Sequence, residues 1–185
     1  SPANSRKIIT VGSLTDNGTG DDTTDDYVSS YSSRGPTLRD FVVKPDLVAP
    51  GNRLVAAVAP YAMLKQQVLS QGVCDDADPI CESAYLELSG TSMATPLVAA
   101  TAVLMLSDED DLTPATIKAR IMSSARKVRG ADPTIYGAGI LDVEEALDAK
   151  HSVDDEALSP LMAISEVGDA ILIEDTAELW GHERW

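Results

Sequence analysis

One serine in this sequence stands where an extended run gives way to a predicted helix. The extended run is Ala84–Leu88, and Ser92 follows it after Gly90. The next run, Ala94–Leu106, is long and rich in Ala, Leu and Val, which predicts a buried helix rather than a strand. The first N–H groups of a helix have no internal acceptor and lie at the positive end of its dipole. A hydroxyl that attacks a carbonyl creates an oxyanion, which such a position stabilises, so Ser92 is a candidate nucleophile.

The sequence around Ser92 allows two other interpretations to be considered. The simpler one is that Ser92 only caps the helix, since serine is among the commonest N-cap residues. The second is the Gly-x-Ser-x-Gly elbow of the α/β-hydrolases, which does not apply because Ala94 stands in place of the second glycine. The choice between a cap and a nucleophile therefore depends on the longer string around Ser92.

That string, Gly-Thr-Ser-Met-Ala-Thr-Pro over Gly90–Pro96, closely resembles the nucleophile signature of the subtilisin-like serine proteases, peptidase family S8. The resemblance implies a serine endopeptidase in which Ser92 attacks the scissile peptide and its own N–H helps to hold the oxyanion. It also implies a set of substrate-binding positions around the nucleophile, with Met93 beside the catalytic histidine. These positions are Leu88, Ser89, Gly90, Thr91 and Met93.

Further motifs occur in the order that this family shows. Tyr31–Thr37 contains Ser-Ser-Arg-Gly-Pro, and Val43–Gly51 contains Lys-Pro-Asp-Leu-Val-Ala-Pro-Gly. Both are similar to family motifs that lie before the nucleophile, and Tyr136–Asp142 resembles the end of the family's catalytic domain. We expect Arg34 and Asp46 to fix loops beneath the site rather than to contact substrate.

The catalytic partners that the resemblance implies are missing from the sequence before Ser92. The family's triad runs Asp, His, Ser along the chain, yet residues 1–91 contain no histidine. His151 and His182 follow Ser92, and we expect both to be ordinary surface residues. No aspartate before Ser92 lies in the family's Asp-Ser/Thr-Gly context, and the asparagine that donates to the oxyanion is expected before Ser1. The sequence therefore predicts the C-terminal part of a peptidase domain, processed or truncated, and inactive alone.

The predicted fold is α/β, a three-layer α/β/α arrangement around a mostly parallel sheet, present here as a C-terminal fragment. Ile8–Val11, Asp46–Val48 and Leu54–Val58 are predicted as strands of that sheet. Tyr136–Asp142 is predicted as a further strand, and Asp142 as the cap of a short helix.

A second helix is predicted to begin at Thr113 and Pro114, because threonine is a favoured N-cap and proline a favoured first helical residue. Apolar residues at helical spacing predict its buried face. The positions on that face are Ile117, Ile121, Met122 and Ala125. Basic residues are expected to face away or to lie in the last turns, where cations are favoured. They are Lys118, Arg120, Arg126 and Lys127.

The amino-acid composition and net charge of the chain restrict the classes of partner that it can bind. The chain has 185 residues, with 30 acidic against 14 basic side chains and a net charge of −16. Nucleic acid is an unsuitable partner for that charge, because phosphate binding needs clustered Lys and Arg. No uninterrupted apolar stretch approaches the ~20 residues needed to span a bilayer, which predicts a soluble chain without a membrane partner. We expect a protein or peptide substrate, a secreted location, and no required cofactor.

Two local features leave alternatives open. Asp16–Asp26 is rich in Asp and Gly, which favours a solvated loop over a calcium site because the spacing is not that of an EF-hand; no metal ligand is assigned, and structural calcium stays open. Cys74 and Cys81 are too few for a metal site, and a local disulfide is preferred over free thiols in a secreted setting.

The resulting domain organisation has two parts. Residues 1–149 are expected to form the C-terminal part of a subtilisin-like peptidase domain, and residues 150–185 an extension of unknown role. The alternatives are a non-catalytic subtilisin-like scaffold or binding module, and a calcium-loaded structural module.

Overall fold

A computed structural model of the chain describes residues 2–20, 22–59, 61–64, 72–73, 85–164, 170–172 and 177–180. Within them, a central sheet is formed by β1 (Val11–Thr15), β2 (Tyr27–Val28) and β3 (Leu47–Pro50), in the order β2-β1-β3. β1 pairs in parallel with β3 and antiparallel with β2. The predicted parallel pairing of the first two strands is therefore confirmed, with β1 displaced toward the C-terminus of the run Ile8–Val11.

The central sheet is covered on both faces, as expected for parallel strands. Side chains alternate along each strand, so that Val11, Leu47 and Ala49 pack with the helices of one layer. Leu14 and Val48 belong to a second cluster with Val28 and Ile140, against which Ile135 and Tyr136 pack. The result is the α/β layering that the sequence predicts.

The third predicted strand lies in a different sheet. β4 (Leu54–Ala57), β5 (Gly72–Val73) and β6 (Tyr85–Leu88) form an antiparallel sheet in the order β4-β6-β5. The prediction that Leu54–Val58 joins the parallel sheet is therefore wrong. Its partner is β6, the strand that leads to Ser92, with Leu54 opposite Leu88.

The long helix α1 (Thr91–Asp108) follows β6 almost directly. Its buried residues, Ala94, Val98, Thr101 and Met105, recur at spacings of three and four and pack on β1 and β3. The helix is confirmed, but it is buried on one side only. Val103 is 61% exposed and Leu104 49% exposed, so an apolar face of α1 remains in contact with solvent.

The expectation about membrane-spanning segments needs a correction. α1 has 18 residues and a mean hydropathy of 1.2, so it is long and apolar enough to cross a membrane by length and composition alone. The core helix of a soluble protein passes the same test. Since one face of α1 packs on the central sheet, we interpret it as a core helix.

The second helix, α2 (Pro114–Ser124), begins as predicted, with Thr113 as N-cap and Pro114 as its first residue. The hydroxyl of Thr113 accepts a hydrogen bond from the Thr116 N–H at 3.1 Å. The prediction that Lys118 and Arg120 face away is wrong, because both are buried. Both have anionic partners inside the fold, since Arg120 forms two hydrogen bonds with Glu109 and Lys118 lies beside Asp46.

Glycines allow very close packing in the next segment, which contains the short helices α3 (Pro133–Tyr136) and α4 (Val143–Asp148). A Cβ on Gly137, which has a φ of 59°, would lie 2.4 Å from the Asp46 carbonyl. Instead of the predicted strand over Tyr136–Asp142, only Ile140 forms bridges, to Val48 and Arg126. Asp142 caps α4 as predicted, accepting from the Glu145 N–H at 3.1 Å.

The described residues beyond α4 pack on the core formed by the preceding elements. β7 (Met162–Ile164) pairs with β8 (Ala170–Leu172), and α5 (Ala177–Trp180) follows. Leu179 and Trp180 are buried with residues of α2 such as Met122. Cys74, Cys81 and His182 lie outside the described residues.

Candidate functional site

Ser92 is the second residue of α1, and its side chain is exposed. The N-cap is Gly90, with a φ of 156° and a ψ of 160°, and no side chain caps this end of the helix. The interpretation of Ser92 as a simple cap is therefore wrong. The hydroxyl lies at the surface in the first turn of the helix, where a nucleophile would need to be.

In the first turn of α1, backbone N–H donors precede the first hydrogen bond formed within the helix. The N–H groups of Met93 and Ala94 both donate to the Gly90 carbonyl, at 2.9 and 3.3 Å. The Ser92 N–H precedes them in the helix, where N–H groups have no intrahelical acceptor. This N–H and the helix dipole are suited to binding a developing oxyanion.

A contact between two glycines fixes where α1 begins. The Gly90 N–H donates to the Gly51 carbonyl at 2.7 Å, and Gly51 follows β3 directly. A Cβ on Gly51 would lie 2.5 Å from Ser13 Oγ and 2.8 Å from the Gly90 carbonyl oxygen. Only glycine permits this approach, so the turn before Ser92 rests on the end of the central sheet.

The residues expected to bind substrate are contiguous at the junction of β6 and α1. Leu88, Gly90, Thr91 and Met93 are half-buried, whereas Ser89 is exposed. Ser89 Oγ accepts a hydrogen bond from the Arg53 N–H at 2.9 Å, which joins this junction to β4. Arg53 in turn forms an ion pair with Glu87 at 3.0 Å, and the hydrogen bond to Glu87 raises the pKa of Arg53.

A cleft of about 1020 Å³ brings two of the sequence motifs together. Thr91, from the serine motif, lines it together with Arg34 from the Ser-Ser-Arg-Gly-Pro motif. The other lining residues come from the N-terminus, from β1 and from the loop before β3. The structure thus places side chains from distant parts of the sequence in one concave surface beside the first turn of α1.

The family model of the subtilases matches residues 1–139 of this chain. The chain is a subtilase. The match ends within the segment between α3 and α4, so it covers Ser92, both glycines of the junction and the motifs that line the cleft.

Known proteins similar to this subtilase include bacterial and plant proteases. Serine protease AprX of Bacillus subtilis (strain 168) is 40% identical over 147 residues, which cover 80% of this chain and 31% of AprX. Subtilisin-like protease SBT3.9 of Arabidopsis thaliana is 30% identical over 135 residues, covering 65% of this chain and 16% of that protein. The chain thus spans a third or less of the length of these relatives.

Solved structures support the same fold. Fervidolysin from Fervidobacterium pennivorans, described as a keratinolytic enzyme related to subtilisin, superposes with a TM-score of 0.60 at 21% identity. The superposition covers 80% of this subtilase and 20% of fervidolysin. At this level of identity the likeness concerns the fold alone.

A buried polar cluster in this subtilase was not predicted from its sequence. Lys44 Nζ lies 2.6 Å from the Asp46 carboxylate, and Lys118 Nζ lies 3.6 Å from it. The hydroxyl of Ser159 accepts from both lysines, at 2.9 and 2.8 Å, and donates to Asp46. Asp46 also accepts from the Thr10 N–H at 2.7 Å, which agrees with its expected role in fixing a loop. No local signal identifies Ser159, because its partners are far away in sequence.

His151 is the one histidine among the described residues, and its recorded partners lie on α2 rather than at Ser92. His151 is exposed and lies against α2, where its Nε2 is 3.4 Å from Ser123 Oγ and its carbonyl accepts from Arg120. Among the described residues, no group of three or more His, Cys, Asp or Glu side chains is arranged to hold a metal ion. In the acidic loop, Asp16 and Asp22 accept hydrogen bonds from nearby residues of the same loop.

Proposed function

We propose that this chain carries the nucleophile of a subtilisin-like serine endopeptidase, and that Ser92 is that nucleophile. The observation that supports the proposal is the exposed position of Ser92 in the first turn of α1, behind a glycine turn fixed to the central sheet. Membership of the subtilase family supplies the reaction class, hydrolysis of peptide bonds through an acyl-enzyme.

In the proposed reaction, Ser92 Oγ attacks the carbonyl carbon of the scissile peptide bond as a base removes its proton. The negative charge moves to the carbonyl oxygen, where the Ser92 N–H and the helix dipole stabilise it. Collapse of this intermediate breaks the C–N bond as the base gives the proton to the leaving nitrogen, and the amine product is released. Water, which loses a proton to the same base, then attacks the acyl ester, and the second collapse releases the carboxylic acid product and returns the proton to Ser92 Oγ. Every group involved is a protein group or water, so the proposed chemistry requires no cofactor.

The base is the part of this machinery that residues 1–91 do not contain, since they include no histidine. We therefore propose that the histidine, the aspartate that orients it and the asparagine oxyanion donor come from the N-terminal part of the peptidase domain. Without that part, the Ser92 hydroxyl keeps its ordinary reactivity, and this chain alone has no measurable peptidase activity.

We further propose that the substrates are extracellular proteins or peptides. Leu88, Ser89, Gly90, Thr91 and Met93 would contact the substrate chain around the scissile bond. Their position at the N-terminal end of α1, contiguous with Ser92, supports this assignment.

Labelling with a fluorophosphonate, which modifies activated serine hydroxyls, tests the proposal. The full-length protein that contains this chain should be labelled once, at Ser92, and should hydrolyse an unstructured protein such as casein. Ser92→Ala should abolish both. Ser107→Ala, at the exposed other end of the same helix, should change neither.

Three outcomes would overturn the proposal or part of it. Full activity in Ser92→Ala would assign catalysis to another residue, and a full-length protein that binds peptides without cleaving them would favour the scaffold alternative. Stoichiometric labelling of Ser92 in the isolated chain would show that the base does not come from another segment.

A further inference from the structure

A chain of hydroxyl groups ends on the carbonyl that holds the turn before Ser92. Tyr31 Oη donates to the Gly51 carbonyl at 3.1 Å and lies 3.1 Å from Ser13 Oγ. Ser13 Oγ lies 3.0 Å from Ser29 Oγ, which lies 2.9 Å from Thr15 Oγ1. Ser13, Ser29 and Thr15 are buried, whereas Tyr31 is 47% exposed.

Counting protons fixes the direction of these hydrogen bonds. Each hydroxyl has one proton to donate. Because Tyr31 gives its proton to Gly51, Ser13 must donate to Tyr31, Ser29 to Ser13 and Thr15 to Ser29. The Asn52 side-chain oxygen, 3.4 Å from Tyr31 Oη, is a longer alternative acceptor. The O–H groups of these four residues therefore all point from the buried strand β1 toward the Gly51 carbonyl. Hydrogen bonds aligned in this way strengthen one another.

The Gly51 carbonyl therefore accepts two hydrogen bonds that come from different directions. One is from Tyr31 and the other is from the Gly90 N–H at 2.7 Å. The Gly51 N–H is held at the same time by the Leu14 carbonyl at 3.1 Å. With both its lone pairs occupied, the carbonyl has a single orientation, and Gly90, two residues before Ser92, is held against it.

We propose that Tyr31 is a positioning residue for the nucleophile, acting through the Gly51 carbonyl and the Gly90 N–H. The inference rests on the proposed function of Ser92. A small displacement of Gly90 moves the Ser92 hydroxyl and the Ser92 N–H together, and displacements of this size weaken attack and oxyanion binding without altering how substrate is held elsewhere. Removal of the Tyr31 hydroxyl should therefore lower kcat much more than it changes KM, because Gly90 is only one of the five residues proposed to contact substrate.

The test uses Tyr31→Phe in the full-length protein that contains this chain. We expect kcat on a peptide substrate and the fluorophosphonate labelling rate at Ser92 to fall about three- to tenfold, with KM within about twofold of the original. Tyr27→Phe is the matched control, because Tyr27 lies on β2 and is 49% exposed. It should leave all three quantities unchanged.

A second variant covers the case in which Tyr31→Phe does not fold. Ser13→Ala removes the hydroxyl that donates to Tyr31 and keeps the tyrosine, so it should give a smaller loss of kcat alone. An unchanged kcat in Tyr31→Phe, or in Ser13→Ala when Tyr31→Phe does not fold, overturns the proposal. A rise in KM alone also overturns it, because it would show that Tyr31 contacts substrate. Ser92→Ala, measured in parallel, separates these outcomes from failure of the proposed function, which would leave Ser92→Ala active.

Discussion

The Lys118 ammonium lies 3.6 Å from the Asp46 carboxylate inside the fold, although Lys118 is on α2 and Asp46 immediately precedes β3. Lys44 shares the same carboxylate, so two cations face one anion in a space that excludes water. Burial lowers the pKa of Lys118 to about 8, Asp46 opposes this effect, and Lys44 and Arg6 add to it. The cluster is therefore sensitive to alkaline pH.

Stability is predicted to rise between pH 8 and pH 10.5. The pKa of Lys118 is about 8 in the folded state and 10.5 in the unfolded chain, so in this range the unfolded chain binds more protons. The free energy of unfolding should increase with pH by up to about 3 kcal/mol from this group. Urea unfolding at a series of pH values measures it, and Lys118→Met isolates the effect because the variant should lack this part of the slope. An identical slope in the variant would contradict the prediction.

Ser159→Ala is predicted to destabilise the chain by about 1–3 kcal/mol. The variant leaves Lys44, Lys118 and Asp46 buried with one hydrogen-bond partner fewer each. The midpoint of urea unfolding should fall accordingly. Ser152→Ala, at an exposed position of the same segment, is the control and should have no measurable effect. Equal midpoints for the two variants would show that the hydroxyl does not stabilise the cluster.

Gly51→Ala is predicted to cost about 2–3 kcal/mol of stability through overpacking. The new methyl group would meet Ser13 Oγ at 2.5 Å and the Gly90 carbonyl at 2.8 Å, so β3 and α1 must move apart. Gly130→Ala provides the comparison, because nothing lies within 4 Å there and only its φ of +74° opposes the substitution. That strain costs about 1 kcal/mol. A smaller loss for Gly51 than for Gly130 would refute the close-packing argument.

The isolated chain is predicted to be marginally folded and to associate. Val103, Leu104 and Leu106 expose apolar surface on α1, and exposed patches of this kind promote association. Replacing Val103 and Leu104 by lysine should shift size-exclusion elution toward the monomer, whereas Ser152→Lys, which adds charge at an exposed position outside α1, should not. A monomer with strongly protected amides throughout Ile8–Leu147 and a sharp two-state melt would contradict this prediction.

Cys74 and Cys81 are predicted to form a disulfide in oxidising medium, which is the arrangement that suits the proposed extracellular location. Alkylation of the unreduced protein should leave its intact mass unchanged, and alkylation after reduction should add two groups. Two thiols alkylated without reduction, in secreted material, would mean that the residues are unpaired.

Local features of the sequence predicted local structure well. Thr113, Pro114 and Asp142 determine where their helices begin, because a cap acts on residues two or three positions away. The helix after Ser92 was equally evident from its composition. The sequence also placed Ser92 at the start of that helix, but it did not predict the contact of Gly90 with Gly51 that fixes this turn, because the two glycines are distant in sequence.

Features that depend on distant partners were predicted wrongly or missed. Lys118 and Arg120 are residue types expected on a solvent-exposed face. Their burial is explained by Asp46, Ser159 and Glu109, which lie outside α2. Leu54–Ala57 resembles the strands of the parallel sheet in composition. Its true partner, β6, is separated from it by a long segment, and nothing in the residues of β4 identifies an antiparallel neighbour.

The direct contact of Gly51 with Gly90 also makes the position of Ser92 independent of the length of the segment between the two glycines. Gly51 and Gly90, which flank residues 52–89, are joined by a hydrogen bond between their backbones, so the two ends of this segment stay together whatever its length. Doubling the length of a segment closed in this way costs only about 0.6 kcal/mol of closure entropy. Insertions, deletions or grafted sequences between the two glycines can therefore change the length of this segment while Ser92 stays where the glycines hold it.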